Sequence, residues 1–249
     1  NLFFSFMIRT SIYGVNLKIN KIHYSIDSMY LNYSKSINAT TSFFWKIIHK
    51  IELPLLFEFE KDQIKKYNIT TFVNKDESNF WKKYGNAITL PHGIDNTIFD
   101  IQQKDNNYKN IISFIGRMDY QPNIDAVLWF CKNVFPYINN SINLYIIGGF
   151  PTKEIISLKS SNIHVLGFVE DPIVILRSCI CTVAPMQTGG GLQTKILMAM
   201  AVNSLVLTTS MAANPIEGAL KNINILIEDD PVIIANKIND IALDPNKYK

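Results

Sequence analysis

APMQTGGGLQTKILMAMAVNSLVL, residues 184–207, is the stretch on which the fold of this chain turns. It opens at the end of the apolar run ICTVAP, which reads as a buried parallel strand. Gly189, Gly190 and Gly191 follow, a composition that lets a backbone turn sharply or lets a ligand come close. QTKILMAMA then starts a helix of strong helix formers, with Gln193 or Thr194 near its start and Lys195 in its first turn. SLVLTT closes the unit as a second apolar strand. Strand, glycine loop, helix and strand make a βαβ crossover. Free N–H groups and the helix dipole favour an anion beyond the first strand's carboxyl end, and Lys195 adds a full positive charge. Taken alone, three glycines equally make a tight turn beside a solvated lysine.

The same alternation runs outward in both directions. Downstream come NPIEGALK, the strand INILIE (223–228) and the helix PVIIANKINDIA. Upstream, IISFIG (111–116) reads as a strand, followed by RMDYQPN and a helix in DAVLWFCKNVFPYI. INLYIIGG (142–149) is a strand ending in two glycines, TKEIISLK a short helix, and IHVLGFV (163–169) a strand leading to DPIVILRS. Earlier still, KIHYSIDS (21–28) reads as a short strand that places Asp27 and Ser28 at its carboxyl end. Residues 41–67 carry a helical pattern with Phe43, Ile47 and Ile51 on one face, Phe44 and Ile48 beside them, and Pro54 set to kink or split it. Within it EFEKDQIKKYN is charged, with Lys61, Lys65 and Lys66 at helical spacing. TTFVN (70–74) reads as a strand, KDESNFWKKYG (75–85) as a helix stopped by Gly85, and NAITL (86–90) as a strand. PHGID makes a turn, and the polar stretch to residue 110 lacks periodicity. The expectation is an α/β protein of two parallel-sheet domains. Residues 1–92 form part of the first, 93–110 the linker and 111–249 the second. The first is too short to be whole, so the chain reads as a fragment.

Composition narrows the function classes. With 249 residues, 47% of them apolar, the chain can bury one large core or two smaller ones. A net charge of +3, without arginine-rich or RNP-like segments, argues against nucleic acid. The charge is uneven: residues 1–92 hold twelve Lys/Arg against seven Asp/Glu, and the remainder twelve against fourteen. That basic first part suggests a weak peripheral attraction to anionic membrane, against the plainer reading of a solvated helix face. Three cysteines make no disulfide framework, and Cys179 and Cys181 read as buried strand thiols in a reducing cytosol. No apolar run reaches membrane-spanning length. His23, His49 and His164 lack metal-ligand spacing, so no metal and no cofactor are expected.

FIGRMDYQPNIDAVLWF, LYIIGG, VLGFVEDP and APMQTGGGLQTKILMAMA, in this order and spacing, resemble the C-terminal domain of a family-4 (group 1) glycosyltransferase of the GT-B fold. The likeness is to the branch of sugar transferases associated with exopolysaccharide export. It covers residues 111–228, and IDSMYLNY, TTFVNKDESNF and LPHGID extend it backwards. It implies an enzyme that moves a sugar from a nucleotide sugar to a polysaccharide or lipid-linked glycan, working in the cytoplasm or at the membrane's inner face. It implies that Gly116, Arg117, Lys195 and the loop Gly189, Gly190, Gly191, Leu192, Gln193 and Thr194 grip the donor diphosphate between two Rossmann-like domains. Phe168 and Val169 would lie by the nucleobase, Asp27 would face the acceptor, and a further crossover helix would follow Lys249.

The residues themselves are compatible with those roles. Arg117 leaves a strand end where a guanidinium can neutralise a diphosphate leaving group, or can pair with Asp119 on the surface. Gly148 and Gly149 line the same crevice or make a plain turn. Phe168 meets a base or packs in the core, Asp27 meets the acceptor or caps a helix, and His92 and Asp95 sit at a hinge turn. Two positions depart from the family pattern. Met198 stands where the family's K-x-L-E-A-M-A has the glutamate that holds the donor ribose. A thioether cannot anchor two hydroxyls, a loss of about 1.5–3 kcal/mol, or roughly ten- to a hundredfold in affinity. Asn123 replaces a basic residue usual one turn after the Gly-Arg element, and Asn203-Ser204-Leu205 replaces a Gly-x-Pro turn. A transferase and a degenerate GT-B-like binding protein are therefore both open from sequence.

Overall fold

The structure is a computed structural model that describes residues 1–39, 43–189, 191–245 and 247–248. Two compact units make it up, Asn1–His92 with Thr188–Leu192, and Gly93–Gln187 with Gln193–Lys249.

The first unit is a four-stranded parallel sheet in the order β1 (Leu2–Phe6), β2 (Asn20–Ile26), β3 (Ile69–Phe72), β4 (Ala87–Thr89). Helices α1 (Met29–Ala39), α2 (Phe43–Lys66) and α3 (Lys75–Trp81) connect β2 to β3 and β3 to β4. Thr41, where the expected helix begins, lies outside the described residues, as do the side chains of Phe43, Phe44 and His49. Pro54 does not split α2. Beyond the proline, Phe57 and Ile64 pack with Phe72, Trp81 and Ala87, and Tyr30, Phe80 and Tyr84 close the cluster. That burial holds the helix past the one hydrogen bond a proline removes. The helix of 75–85 ends at Trp81, with a turn filling the rest to Gly85.

The second unit is a six-stranded, wholly parallel sheet in the order β10-β9-β8-β5-β6-β7. Its elements are β5 (Ile111–Ile115), α4 (Gln121–Asn133), β6 (Asn143–Ile147), α5 (Lys153–Ile156), β7 (Ile163–Gly167), α6 (Ile173–Ser178), β8 (Cys181–Ala184), α7 (Thr194–Ala201), β9 (Val206–Thr208), α8 (Ser210–Ala213), β10 (Leu226–Ile227) and α9 (Pro231–Leu243). Strands β8 and β9 are buried along their whole length, as parallel strands covered on both faces must be. The strand expected over 223–228 shrinks to two residues at the sheet edge. Cys179 follows α6 instead of lying in a strand; only Cys181 is in β8. Burial raises all three thiol pKa values, that of Cys131 to about 12, so they stay protonated.

The stretch 93–110 is more structured than a linker. Asn96–Asp100 and Asn106–Tyr108 form 3-10 turns, capped by Asp95 and Asp105. Ile98 and Ile101 pack on Ile173, Leu176 and Val202, and the Asp105 N–H donates to Ser178 Oγ at 2.9 Å. Isolated apolar residues in a polar stretch carry no periodicity, yet two suffice to tie it to the second unit.

Candidate functional site

Strand order in the second unit reverses between β5 and β8. From β5 the chain winds to β6 and β7, then returns to β8 and winds to β9 and β10 on the other side. A crevice opens at the carboxyl ends of the two strands flanking such a switch point, because their crossovers leave in opposite directions. Gly116 and Arg117 leave β5 there, and Pro185 and Met186 leave β8.

Lys195, in the first turn of α7, belongs to this crevice. Its Nζ donates to Asn123 Oδ1, stands 3.5 Å from Met186 Sδ and lies 4.9 Å from the centroid of the Phe114 ring. Burial pushes its pKa down to about 8, so at neutral pH it still carries its charge. Asn123, from the first turn of α4, donates through Nδ2 to the Arg117 carbonyl at 2.8 Å. Lys195, Asn123 and the Gly116–Arg117 turn are thus one hydrogen-bonded assembly. Gly116 belongs to it by its lack of a side chain, since a Cβ there would stand 2.7 Å from Asn123 Nδ2. Gly148 abuts the Gly116 carbonyl more closely still, so that a Cβ there would overlap its oxygen. The strand ends of β5, β6 and β7 meet through Gly116 N–H to the Ile147 carbonyl and Gly148 N–H to the Gly167 carbonyl.

The Arg117 guanidinium is exposed and takes its surface partner. It donates to both carboxylate oxygens of Asp119, at 3.0 and 2.6 Å, and lies 5.2 Å from the centroid of the Phe150 ring. Phe150 is 70% exposed and Phe168 79% exposed. Core packing is thereby excluded for Phe168, which stands beside Gly149 just past β7. Val169 packs instead against Ile111, Ile147 and Ile175. Met198 is partly buried against Ile173, Leu176 and Val202.

The glycine loop divides at Leu192. Gln193 precedes α7 without a side-chain cap, and Thr194 begins the helix exposed. Gly189, with φ +100°, and Gly191, with φ +77°, take left-handed backbone conformations, as does no residue with a side chain in this loop. Gly190 lies outside the described residues. Gly191 is buried in the first unit, its Cα against the Asp27 carboxylate so closely that a Cβ would overlap Oδ1.

Ser28 caps α1, its Oγ accepting from Leu31 N–H at 3.2 Å. Two buried glutamates hold Ser28 in turn. Glu77 Oε2 accepts from the Ser28 N–H at 2.7 Å, and Glu60 accepts from Ser28 Oγ at 2.6 Å and from Tyr30 N–H at 3.1 Å. Burial lifts Glu60 to about 7 against the hydrogen bonds that favour its ionised form. At the same sheet edge Tyr24 Oη and His92 Nδ1 are 3.0 Å apart. Asn123, Phe150 and this Ser28 cap are not assigned from sequence; Phe150, directly after two glycines, is the one local signal among them.

The model of the family described as "Glycosyl transferases group 1" matches residues 109–244. Among solved structures, Anabaena Alr3699/HepE in complex with UDP and glucose superposes with a TM-score of 0.74 at 10% identity, over 99% of this chain and 70% of that one. A TarM mutant of S. aureus, in complex with Fondaparinux, alpha-GlcNAc-glycerol and UDP, gives 0.71 at 15% identity, over 94% and 46%. Sucrose-phosphate synthase of Thermosynechococcus elongatus gives 0.70 at 13% identity, over 98% and 65%. At these identities the likeness is one of fold. No curated protein matches the sequence.

Proposed function

The chain belongs to the group 1 glycosyl transferases, and on that premise we propose that it serves transfer of a sugar from a nucleotide sugar to a polysaccharide or lipid-linked glycan. The observation that carries the reading is the Lys195–Asn123–Arg117 assembly at the switch point of the second unit. It concentrates one ammonium and one guanidinium-bearing turn where a nucleoside diphosphate leaves, which is the charge that sugar transfer must stabilise. Gln193 and Thr194, which belong to the second unit with Lys195, supply backbone N–H groups to the same diphosphate in this reading. Phe168 offers an exposed ring for a base, and Asp27 addresses the acceptor. HepE with UDP-glucose and TarM with UDP support the donor class.

A second reading, a GT-B-shaped binding protein without turnover, is favoured by Met198 on its apolar cluster and by Arg117 already engaged with Asp119. Release of nucleoside diphosphate from a panel of nucleotide sugars, with glycan and lipid-linked acceptors present, separates the two. The transferase reading expects release that Arg117→Ala and Lys195→Ala abolish. Tight nucleotide binding without release by the native chain overturns it in favour of the second.

A place in exopolysaccharide synthesis at the membrane's inner face is the finer proposal. No helix among the described residues is long and apolar enough to cross a membrane, so contact would be peripheral. Ile47, Ile51 and Leu55 are exposed at four-residue spacing along α2, which suits an interfacial helix. Lys61 and Lys66 pair with Glu58 and Asp62 on the same helix, which weakens the electrostatic part of the attraction.

A further inference from the structure

We propose that Asn123 is a positioning residue for the donor diphosphate, fixing the Lys195 ammonium to the Gly116–Arg117 turn. This rests on the reading of Lys195 as a diphosphate ligand and deepens it. Asn123 is 5% exposed, so both ends of its amide must be satisfied inside the protein. Its orientation is dictated by its partners, because an ammonium can only donate and a carbonyl can only accept. The oxygen therefore faces Lys195 and the nitrogen faces the Arg117 carbonyl.

No other short side chain meets both demands. Aspartate accepts from Lys195 but has no N–H for the Arg117 carbonyl, and serine does not reach both. The basic residue that the family resemblance leads one to expect at 123 would place a second cation within reach of Lys195 and would offer it no acceptor. The other groups about Nζ, the Met186 sulfur and the Phe114 ring, are weak partners by comparison. Asparagine thus leaves Lys195 as the single ammonium of the assembly and sets its direction. Gly116 is coupled to that choice, since its missing Cβ is the space the Asn123 amide occupies.

A double-mutant cycle on the full chain tests the proposal. Isothermal titration with UDP, GDP and ADP selects the nucleotide the native chain binds, and the matching nucleoside is the contrast. Asn123→Ala is expected to weaken the diphosphate about tenfold, the scale of one charge-assisted hydrogen bond, and to leave the nucleoside unchanged. In a Lys195→Ala background the same substitution is expected to cost nothing further, because Asn123 acts through Lys195. A merely structural role predicts equal losses for nucleotide and nucleoside, or the same loss in both backgrounds, and either result overturns the proposal. So does native affinity in Asn123→Ala when Lys195→Ala weakens binding. Should Lys195→Ala bind like the native chain, the diphosphate reading of Lys195 itself falls, a different failure. If Asn123→Ala does not fold, Asn123→Ser, which keeps a polar atom too short to bridge, carries the same expectations.

Discussion

Replacing Met198 with glutamate introduces the residue type that the family resemblance leads one to expect at this position, and the structure sets the energies that compete. The Met198 side chain is partly buried on Ile173, Leu176 and Val202, with Ile98, Ile101 and Ile115 packed on the same cluster. A fully buried methionine contributes about 1.5–3 kcal/mol, so a partly buried one contributes about 1 kcal/mol, which the substitution forfeits. An unpaired polar group on an apolar surface adds about 1–3 kcal/mol, and more while it stays ionised. The expected loss is about 2–4 kcal/mol without nucleotide, which at about 2–4 °C per kcal/mol lowers the melting temperature of a unit this size by roughly 4–16 °C. Protonation relieves part of the cost, so the drop at pH 5 should be smaller than at pH 8. Thermal unfolding of native, Met198→Glu and Met198→Leu chains at both pH values measures this, with Met198→Leu expected to melt close to native. Titration with ribo- and 2′-deoxyribonucleoside diphosphate then asks whether the new carboxylate reaches a ribose, which would tighten only the ribonucleotide, by about ten- to a hundredfold. A Met198→Glu chain that melts as the native one does at both pH values would refute the packing argument. The side chain would then stand in solvent.

Lys195 has a folded pKa of about 8, below its usual value of 10.5. Its burial therefore costs stability in full below pH 8, and the cost is relieved as pH rises towards 10.5, while diphosphate affinity falls over the same interval; Lys195→Met should flatten both profiles. Glu60 has the opposite sign: raised from 4.5 to about 7, it contributes stability that is full below pH 4.5 and lost as pH rises through 7. Denaturant titrations of native and Glu60→Gln chains across that window should diverge with rising pH, and parallel curves would show that Glu60 is already ionised. Gly191→Ala places a Cβ on the Asp27 carboxylate at φ +77° and should cost about 1–3 kcal/mol, read as a lower unfolding midpoint. Adding Asp27→Ala should recover the overlap but not the backbone strain, leaving part of the loss.

The parallel core of the second unit was legible because such strands announce themselves. IISFI and CTVA are apolar or small and are buried almost throughout, so a continuous run needs no alternation to be read. Strand β1 escaped notice since Leu2 and Phe4 are exposed on an edge strand, and an apolar run at the start of a chain has no flanking turn to mark it. Helix α1 escaped for a different reason. MYLNYSKSINA is rich in Asn and Ser, poor helix formers, and its first turn holds no acid. The acids that organise its start are Glu60 and Glu77, 32 and 49 positions away from Ser28. A capping signal supplied from across the fold leaves no local trace.

The site shows the same division. Arg117, Lys195 and the glycines could be picked out because strand–glycine–helix punctuation is a local pattern, and it drew attention to their neighbours as well. Asn123 stood in that pattern only as a missing cation. Its contact with Lys195 joins residues 72 apart, and the need for it appears once both are seen to be buried. Met198 likewise reads in sequence as a carboxylate lost from a ribose site, while in the fold it is a side chain gained by an apolar cluster. The two descriptions make different demands on one substitution. A loss alone would be repaired by glutamate at no cost to stability; a gain makes the repair expensive. If selection had merely relaxed at 198, a polar residue of any kind would serve there as well as methionine. The packing of Ile98 and Ile101 beside it argues instead that 198 and the turn of residues 96–100 are coupled, so that restoring the carboxylate without adjusting those isoleucines should loosen the stretch that joins residue 93 to β5.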